Sequence, residues 1–320
     1  MQAIQARQYG GPDVMRRLEL PDPAPGAGQA VVRVRAAGVN PVDTLMLAGT
    51  QGYAPRLPFT PGLDAAGVVE AVGSGVEGLA PGERVYLSGS LSGTYAERVL
   101  CQAGQLHPLP ESCSFSQGAA LGVPYAAAYR ALFQRGRARP GETVLIHGAT
   151  GGVGLAALQW AAASGLEVLG TAGFPEGLEL VRAQGARRAF DHFDPEHLQQ
   201  VLEFTRGRGV DVILEMAAHV HLGRDLSVMA PGGRIVVIGS RGPVEVNPRD
   251  LMTREGQILG LLVFNASERD RAEIHAALGA GLNHGTLQPV VRLELPLEDA
   301  PRAHLALADQ HAYGKVILVP

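Results

Sequence analysis

Residues 143–154 read TVLIHGATGGVG: a short β-branched run breaks into a cluster of glycines and then opens an apolar helix. A buried strand must end there, turn sharply and present backbone N–H groups at a helix N-terminus. Those unpaired donors, with the partial positive charge of the helix end, suit a phosphate or pyrophosphate. The spacing is Gly148-x-x-Gly151-x-x-Gly154, with an extra glycine at Gly152. No Lys-Ser or Lys-Thr follows, which excludes a P-loop holding a triphosphate and its magnesium.

Context narrows the ligand. Apolar runs at 143–147, 167–172, 188–192, 210–216, 233–239 and 256–264 alternate with helical stretches. Such alternation predicts right-handed βαβ units and a parallel, doubly wound sheet, in which the glycine turn is a dinucleotide site. The first third has another texture. Short alternating stretches such as QAVVRVRAAGV and AAGVVEAVG are punctuated by proline and glycine, as in an irregular β-barrel. Further strand-like runs fall at 95–101 and 105–109, and AALGVPYAAAYRALFQ reads as helical.

Beyond 264 the chain continues with helical stretches at 268–281 and 298–309, a strand-like run at 289–293 and a closing GKVILVP. A parallel sheet has no need of these, so they are expected to return to the first domain. The expected division is a barrel over 1–121, completed by 266–320, and a doubly wound domain over 122–265. A cleft between two such domains favours a cofactor and its substrate.

Composition sets the outer bounds. A chain of 320 residues suits two domains with full cores. The formal net charge of −4, without a basic block or stripe, argues against nucleic acid as the partner. No run of eighteen uncharged apolar residues occurs, and MQAIQARQYG has no signal-peptide core, so a cytoplasmic protein is expected. Cys101 and Cys113 are the only cysteines. They form no C-x-x-C pair, so a structural zinc lobe is not available.

With these motifs the chain resembles the medium-chain dehydrogenase/reductase superfamily, and within it the zinc-free quinone oxidoreductases of the zeta-crystallin type. The markers are YGGPDVMRRLE at 9–19, AAGVNPVDTLMLAGT at 36–50 and PFTPGLDAAGVVEAVG at 58–73. They continue through GTYAERVL, LGVPYAAAYRALF, IHGATGGVGLAALQWA, LGTAGFPEGLELV, ILEMAAHVHLGRDLSVMAPGGRIVVIGSRG, NPRDLM and GKVIL, nearly the whole chain. The resemblance implies an α/β protein with a GroES-like β-barrel joined to a Rossmann domain. It also implies NADPH-dependent reduction of a small quinone or related electrophile and assembly as a homodimer or homotetramer. An NADPH-dependent reductase of enone or alkenal C=C bonds is the nearest alternative, and an RNA-binding role of the zeta-crystallin kind a remote one. One-electron and hydride transfer both stay open.

Zinc enzymes of the superfamily place a cysteine after a Gly-Val pair and a Gly-His-Glu triplet some two dozen residues later. Here those positions hold Asn40 and Gly62-Leu63-Asp64. Leucine cannot ligate a metal and asparagine is a poor zinc ligand, so no zinc is expected. Without a Lewis acid, oxidising a simple alcohol is difficult, whereas an electron-poor quinone accepts electrons readily from the cofactor.

The second Rossmann strand, EVLGTAG, ends in Thr171-Ala172-Gly173 without the carboxylate that binds the ribose of NAD; this favours NADP. By resemblance, Thr150, Gly151, Gly152 and Val153 meet the pyrophosphate and Gly173 leaves room for the ribose. His192 lies near the ribose phosphate, with Arg187, Arg188 and Lys315 as weaker helpers. His221 stands where a relative has asparagine. Ile238, Gly239, Ser240 and Arg241 are expected to end the fifth strand, and Leu261, Leu262 and Val263 to end the sixth and line the nicotinamide pocket. Asn40, Asp43 and Tyr129 are expected to face nicotinamide and substrate from the barrel side. Each also has a plainer reading: Tyr125 and Tyr129 as packing residues four apart on a helix, Asp43 as a turn cap after Pro41, His147 as packing beneath the glycine turn. No residue stands out as a general acid.

Overall fold

The computed structural model describes residues 1–309 and 311–320. They form two compact units, Met1–Val123 with Gly279–Pro320, and Pro124–Leu278. The divisions fall within the helices Gly122–Tyr129 and Glu268–Asn283.

The second unit is built on six parallel strands in the order 3-2-1-4-5-6 counted along it, the Rossmann arrangement. The strands are Thr143–Ile146, Glu167–Ala172, Arg188–Asp191, Val210–Glu215, Met229–Val237 and Gln257–Gly260. Central strands of a sheet covered on both faces are largely apolar: Leu145, Leu169, Ile213 and Ile235 are buried at its centre. The helix Gly152–Ala163 is buried along Gly154–Ala161, and its small residues GVGLAA let it approach the sheet closely. A Cβ on Gly154 would lie 2.6 Å from both the Gly148 carbonyl oxygen and the Ala149 Cα, so only glycine fits there.

Two strands end sooner than the sequence suggests. The fifth stops at Val237 and the sixth at Gly260, so Ile238–Arg241 and Leu261–Val263 occupy the loops that follow. Leu261 N–H still donates to the Val237 carbonyl, but a 3-10 turn at Val263–Asn265 then takes the chain out of the sheet. The helical stretch near residue 120 also changes character, widening to a π-helix over Arg130–Arg135.

In the first unit, Gln29–Val39 organises the sheet. Its first half pairs with Arg98–Gln102, its second half with Lys315–Val319, and both with Asp64–Val72, all antiparallel. Arg84–Ser88 and Leu106–Pro108 extend one side and Val291–Pro296 the other. The last strand thereby brings the end of the chain onto this unit. Ile4, Val32, Leu47, Val69, Leu87, Tyr95 and Val316 belong to its core. Cys101 and Cys113 are both buried and unbridged. Among the described residues, no helix is long and apolar enough to cross a membrane.

Candidate active site

In the second unit the expected cofactor residues gather at the carboxyl ends of the strands. The helix Gly152–Ala163 starts without a side-chain cap and has no acidic residue in its first turn, which leaves its end available to an anion. A Cβ on Gly152 would meet nothing nearer than Pro124 at 3.5 Å, and one on Gly151 nothing nearer than the Gly148 oxygen at 3.5 Å. Thr171 ties the turn to the second strand: its hydroxyl accepts from Gly148 N–H at 3.1 Å and its carbonyl from Ala149 N–H at 2.8 Å. His192 follows the third strand, with Nδ1 3.4 Å from the same hydroxyl. A Cβ on Gly173 would lie 2.6 Å from His192 Nε2 and 2.5 Å from the Phe193 ring. Thr171, Gly173 and His192 thus form one patch, and the carboxylate beside it, Asp191, accepts from Phe193 N–H at 2.9 Å.

A buried acid–histidine cluster lies beneath the glycine turn. His147 Nε2 is 2.9 Å from Asp225 Oδ1 and 3.8 Å from Glu215 Oε2, and its ring stacks on His221 at 5.1 Å between centroids. Burial works against the imidazolium of His147, but Asp225 and Glu215 outweigh it and raise its pKa. Burial pushes Glu215 up to about 8, while Asp225 is also desolvated yet held below the usual carboxylate range by His147. His221 is pushed down to about 4 by burial and by His147, and its Nδ1 has no hydrogen-bond partner among the described residues. His219, two residues earlier on the helix Ala218–Asp225, points elsewhere and accepts from Arg241 N–H at 3.2 Å. Ala218 N–H donates to the Gly239 carbonyl, which fixes the Ile238–Arg241 loop beside this helix.

The weaker helpers take other partners. Arg187 pairs with Glu167 and Arg188 lies over the Phe190 ring. Tyr129 belongs to the second unit rather than the barrel, because the helix carrying it packs there. Its hydroxyl donates to Glu273 at 2.9 Å and its ring lies against Trp160.

In the first unit, Asn40 and Asp43 stand at the start of the short helix Pro41–Leu47. Asp43 closes a capping box by accepting from Asn40 N–H at 2.9 Å. The Asn40 side chain donates to Asp64 Oδ2 at 2.9 Å and accepts from Lys315 Nζ, which also donates to Asp64 Oδ2 at 3.1 Å. The other Asp64 oxygen accepts from Val123 N–H. By the resemblance, Asn40 and Gly62-Leu63-Asp64 hold the positions of the zinc enzymes' cysteine and Gly-His-Glu triplet. The donor set here does not fit the metal: Leu63 offers no ligand atom, and Asp64 and Asn40 already share the Lys315 ammonium. Asp43 Oδ2 further accepts from the Tyr95 hydroxyl at 3.0 Å, and that hydroxyl lies 3.1 Å from His304 Nε2. Burial pushes Asp43 up to about 7, with Asp64 adding to the rise and Asn40 N–H, Lys315 and Tyr95 opposing it.

Sequence reasoning missed Tyr95, His304, Glu215 and Asp225. Only Glu215 gave a signal, as the single acid closing the buried run VILE.

The chain matches the zinc-binding dehydrogenase family over residues 152–279 and the GroES-like domain of alcohol dehydrogenases over residues 26–111. It is 44% identical over 321 residues to a quinone oxidoreductase of Pongo abelii, with all of this chain and 98% of that protein covered. Among solved structures, an NAD-dependent alcohol dehydrogenase superposes with a TM-score of 0.93 at 30% identity, and Escherichia coli quinone oxidoreductase complexed with NADPH with 0.91 at 28%, each covering all of both chains.

Proposed function

The chain belongs to the zeta-crystallin-type quinone oxidoreductases of the medium-chain dehydrogenase/reductase superfamily, and from that premise we infer that it reduces quinones with NADPH. The observation that carries the reading is the Lys315 ammonium held on Asp64 and Asn40. A fixed cation of the chain itself stands where a Lewis acid would otherwise polarise an alcohol. An electron-poor quinone needs no such metal, because bound NADPH would supply the electrons.

Thr150, Gly151, Gly152 and Val153 would hold the pyrophosphate at the uncapped helix end, and Gly173 and His192 the ribose and its 2′-phosphate. His221 offers its Nδ1, and the loops Ile238–Arg241 and Leu261–Val263 serve the nicotinamide end. Asn40 and Asp43 are assigned to the quinone, with Tyr129 as a lining residue. The end of the second strand at Thr171-Ala172-Gly173, which carries no acid, supports NADPH over NADH. Action as a cytoplasmic homodimer or homotetramer rests on the family resemblance. Independence of nucleic acid rests on the net charge of −4 without a basic stripe.

A fluorescence titration with NADPH and NADH, followed by turnover of ortho-quinones, para-quinones and 2-alkenals, tests the reading. Tighter NADPH binding and preferred quinone turnover are expected. Tighter NADH binding would overturn the cofactor assignment, and faster alkenal turnover the substrate assignment.

A further inference from the structure

Phe193 leaves most of its ring in water just past the third strand of the second unit, Arg188–Asp191: it is 71% exposed. A single apolar side chain at a surface is ordinary by itself. What sets this one apart is how the chain holds it and what it lies against. Asp191 Oδ1 accepts from Phe193 N–H at 2.9 Å, and the Asp191 carbonyl accepts from Asp194 N–H at 3.1 Å. Asp194 in turn accepts from Glu196 N–H at 2.9 Å and from the Gln200 side chain at 2.7 Å. The turn is thus tied down at four points, and the ring is presented from a fixed backbone.

Its two neighbours mark the adenosine end of the cofactor site. The ring stands T-shaped to His192, with 4.8 Å between centroids. A Cβ on Gly173 would lie 2.5 Å from it, so glycine is what lets the ring rest against the end of the second strand. In a Rossmann sheet that strand end receives the adenosine ribose. The base attached to the ribose then lies over the loops that follow the second and third strands. Adenine is flat, aromatic and uncharged near neutrality, so it gains from a flat apolar surface and has no use for a counter-charge.

We propose that Phe193 is the platform on which the adenine of the bound dinucleotide stacks. The proposal rests on the NADPH reading of the second unit and deepens it. Two consecutive residues of one turn then serve different parts of the adenosine: His192 the 2′-phosphate and Phe193 the base. Their contributions are separable. A contact to the base is shared by NADPH and NADH, whereas a contact to the 2′-phosphate is made by NADPH alone. Stacking also asks for an aromatic face, which leucine lacks and tyrosine retains.

The test measures binding rather than turnover, on the full-length protein. Wild type, Phe193→Ala, Phe193→Leu and Phe193→Tyr are titrated with NADPH and NADH by fluorescence and with 2′,5′-ADP by calorimetry. Truncating an aromatic ring beneath a stacked base weakens binding by roughly 5- to 150-fold. A ring that stacks at an open surface belongs near the lower end, so Phe193→Ala should lose about tenfold for all three nucleotides alike. Phe193→Leu should lose most of the same amount, and Phe193→Tyr should stay within about twofold of wild type. The side chain is exposed, so each variant should melt within about 2 °C of wild type. Unchanged affinities in Phe193→Ala, or in Phe193→Leu, overturn the adenine assignment and leave the cofactor reading intact. A loss confined to NADPH and 2′,5′-ADP overturns it as well, because it would place Phe193 at the phosphate. A wild type that binds neither dinucleotide overturns the cofactor reading itself, and the adenine assignment with it.

Discussion

Lys315 Nζ stands 3.1 Å from Asp64 Oδ2, with the two side chains 5% and 0% exposed. Deleting one member of so buried a pair leaves an uncompensated charge, at a cost of roughly 3–5 kcal/mol. Lys315→Met should therefore lower the melting temperature by about 10 °C, at about 2–4 °C per kcal/mol for a domain of this size. The double variant Lys315→Met, Asp64→Asn removes both charges and should recover most of the loss. Differential scanning calorimetry of the two proteins checks this. Equal losses in single and double variants would show that the charge of Asp64 is not what matters.

The same pair predicts the response to chelators. Asn40 and Asp64 give their side-chain atoms to Lys315 and to each other, so a metal chelator has nothing to remove from them. Prolonged dialysis against 1,10-phenanthroline should leave quinone turnover unchanged, and elemental analysis should find zinc well below one per chain. Loss of activity that added zinc restores would contradict the assignment.

Two glycines of the turn should separate packing from binding. A Cβ on Gly154 meets backbone atoms at 2.6 Å, so Gly154→Ala must shift the helix from the strand, at about 1–3 kcal/mol. A Cβ on Gly152 meets only Pro124, at 3.5 Å, and alanine favours the helix by up to about 1 kcal/mol. Gly152→Ala should thus melt at or above the wild-type temperature while binding NADPH less tightly, because the new methyl group stands at the uncapped helix end. Thermal melts and fluorescence titrations of both variants give the comparison.

The parts legible in the sequence were those written in local pattern. The glycine turn and the six apolar runs declare themselves by residue type and period, and Asp43 reads as a turn cap because its partner Asn40 is three residues away. The strand ends were harder. Ile238 and Leu261–Val263 continue an apolar run past the last residues of their strands, and apolarity does not distinguish a strand from the loop beyond it. Long-range pairings left no trace. Tyr95 and His304 meet across 209 positions, and Lys315, read toward a phosphate, reaches Asp64 across 251.

Gly173 and His192 make a prediction about cofactor choice. A methyl group at Gly173 would press on His192 Nε2 at 2.6 Å and on the Phe193 ring at 2.5 Å. Phe193 is 71% exposed and can swing away, so Gly173→Ala should cost little stability. His192 would be moved from its place beside Thr171, and with it the proposed contact to the 2′-phosphate. NADPH affinity should fall about tenfold, which is about 1.4 kcal/mol, and NADH affinity by less. Titrations with both nucleotides on one variant measure the difference; equal losses would remove His192 from the phosphate site.

Stability against pH should report the cluster under the glycine turn. Glu215 is raised to about 8 and His147 is raised as well, so between pH 5 and 8 these two groups hold more protons in the folded state than in the unfolded chain, while the lowered histidines such as His221 act in the opposite sense below about 6.5. Their contribution to stability therefore falls as pH rises through this window, because the unfolded state gains from releasing those protons first. Asp225, lowered, acts in the opposite sense and only in acid: its contribution is present above the ordinary aspartate range and is lost as pH falls below it. Glu215→Gln retains an acceptor for the Ala217 N–H, which Glu215 holds at 2.5 Å, and removes the buried acid. The stability of wild type relative to the variant should fall by roughly 3 kcal/mol between pH 5 and 8, the histidine contributions being common to both. Urea unfolding curves at pH 5, 6.5 and 8 decide the matter, and parallel slopes in the two proteins would mean that Glu215 does not hold its proton in the folded state.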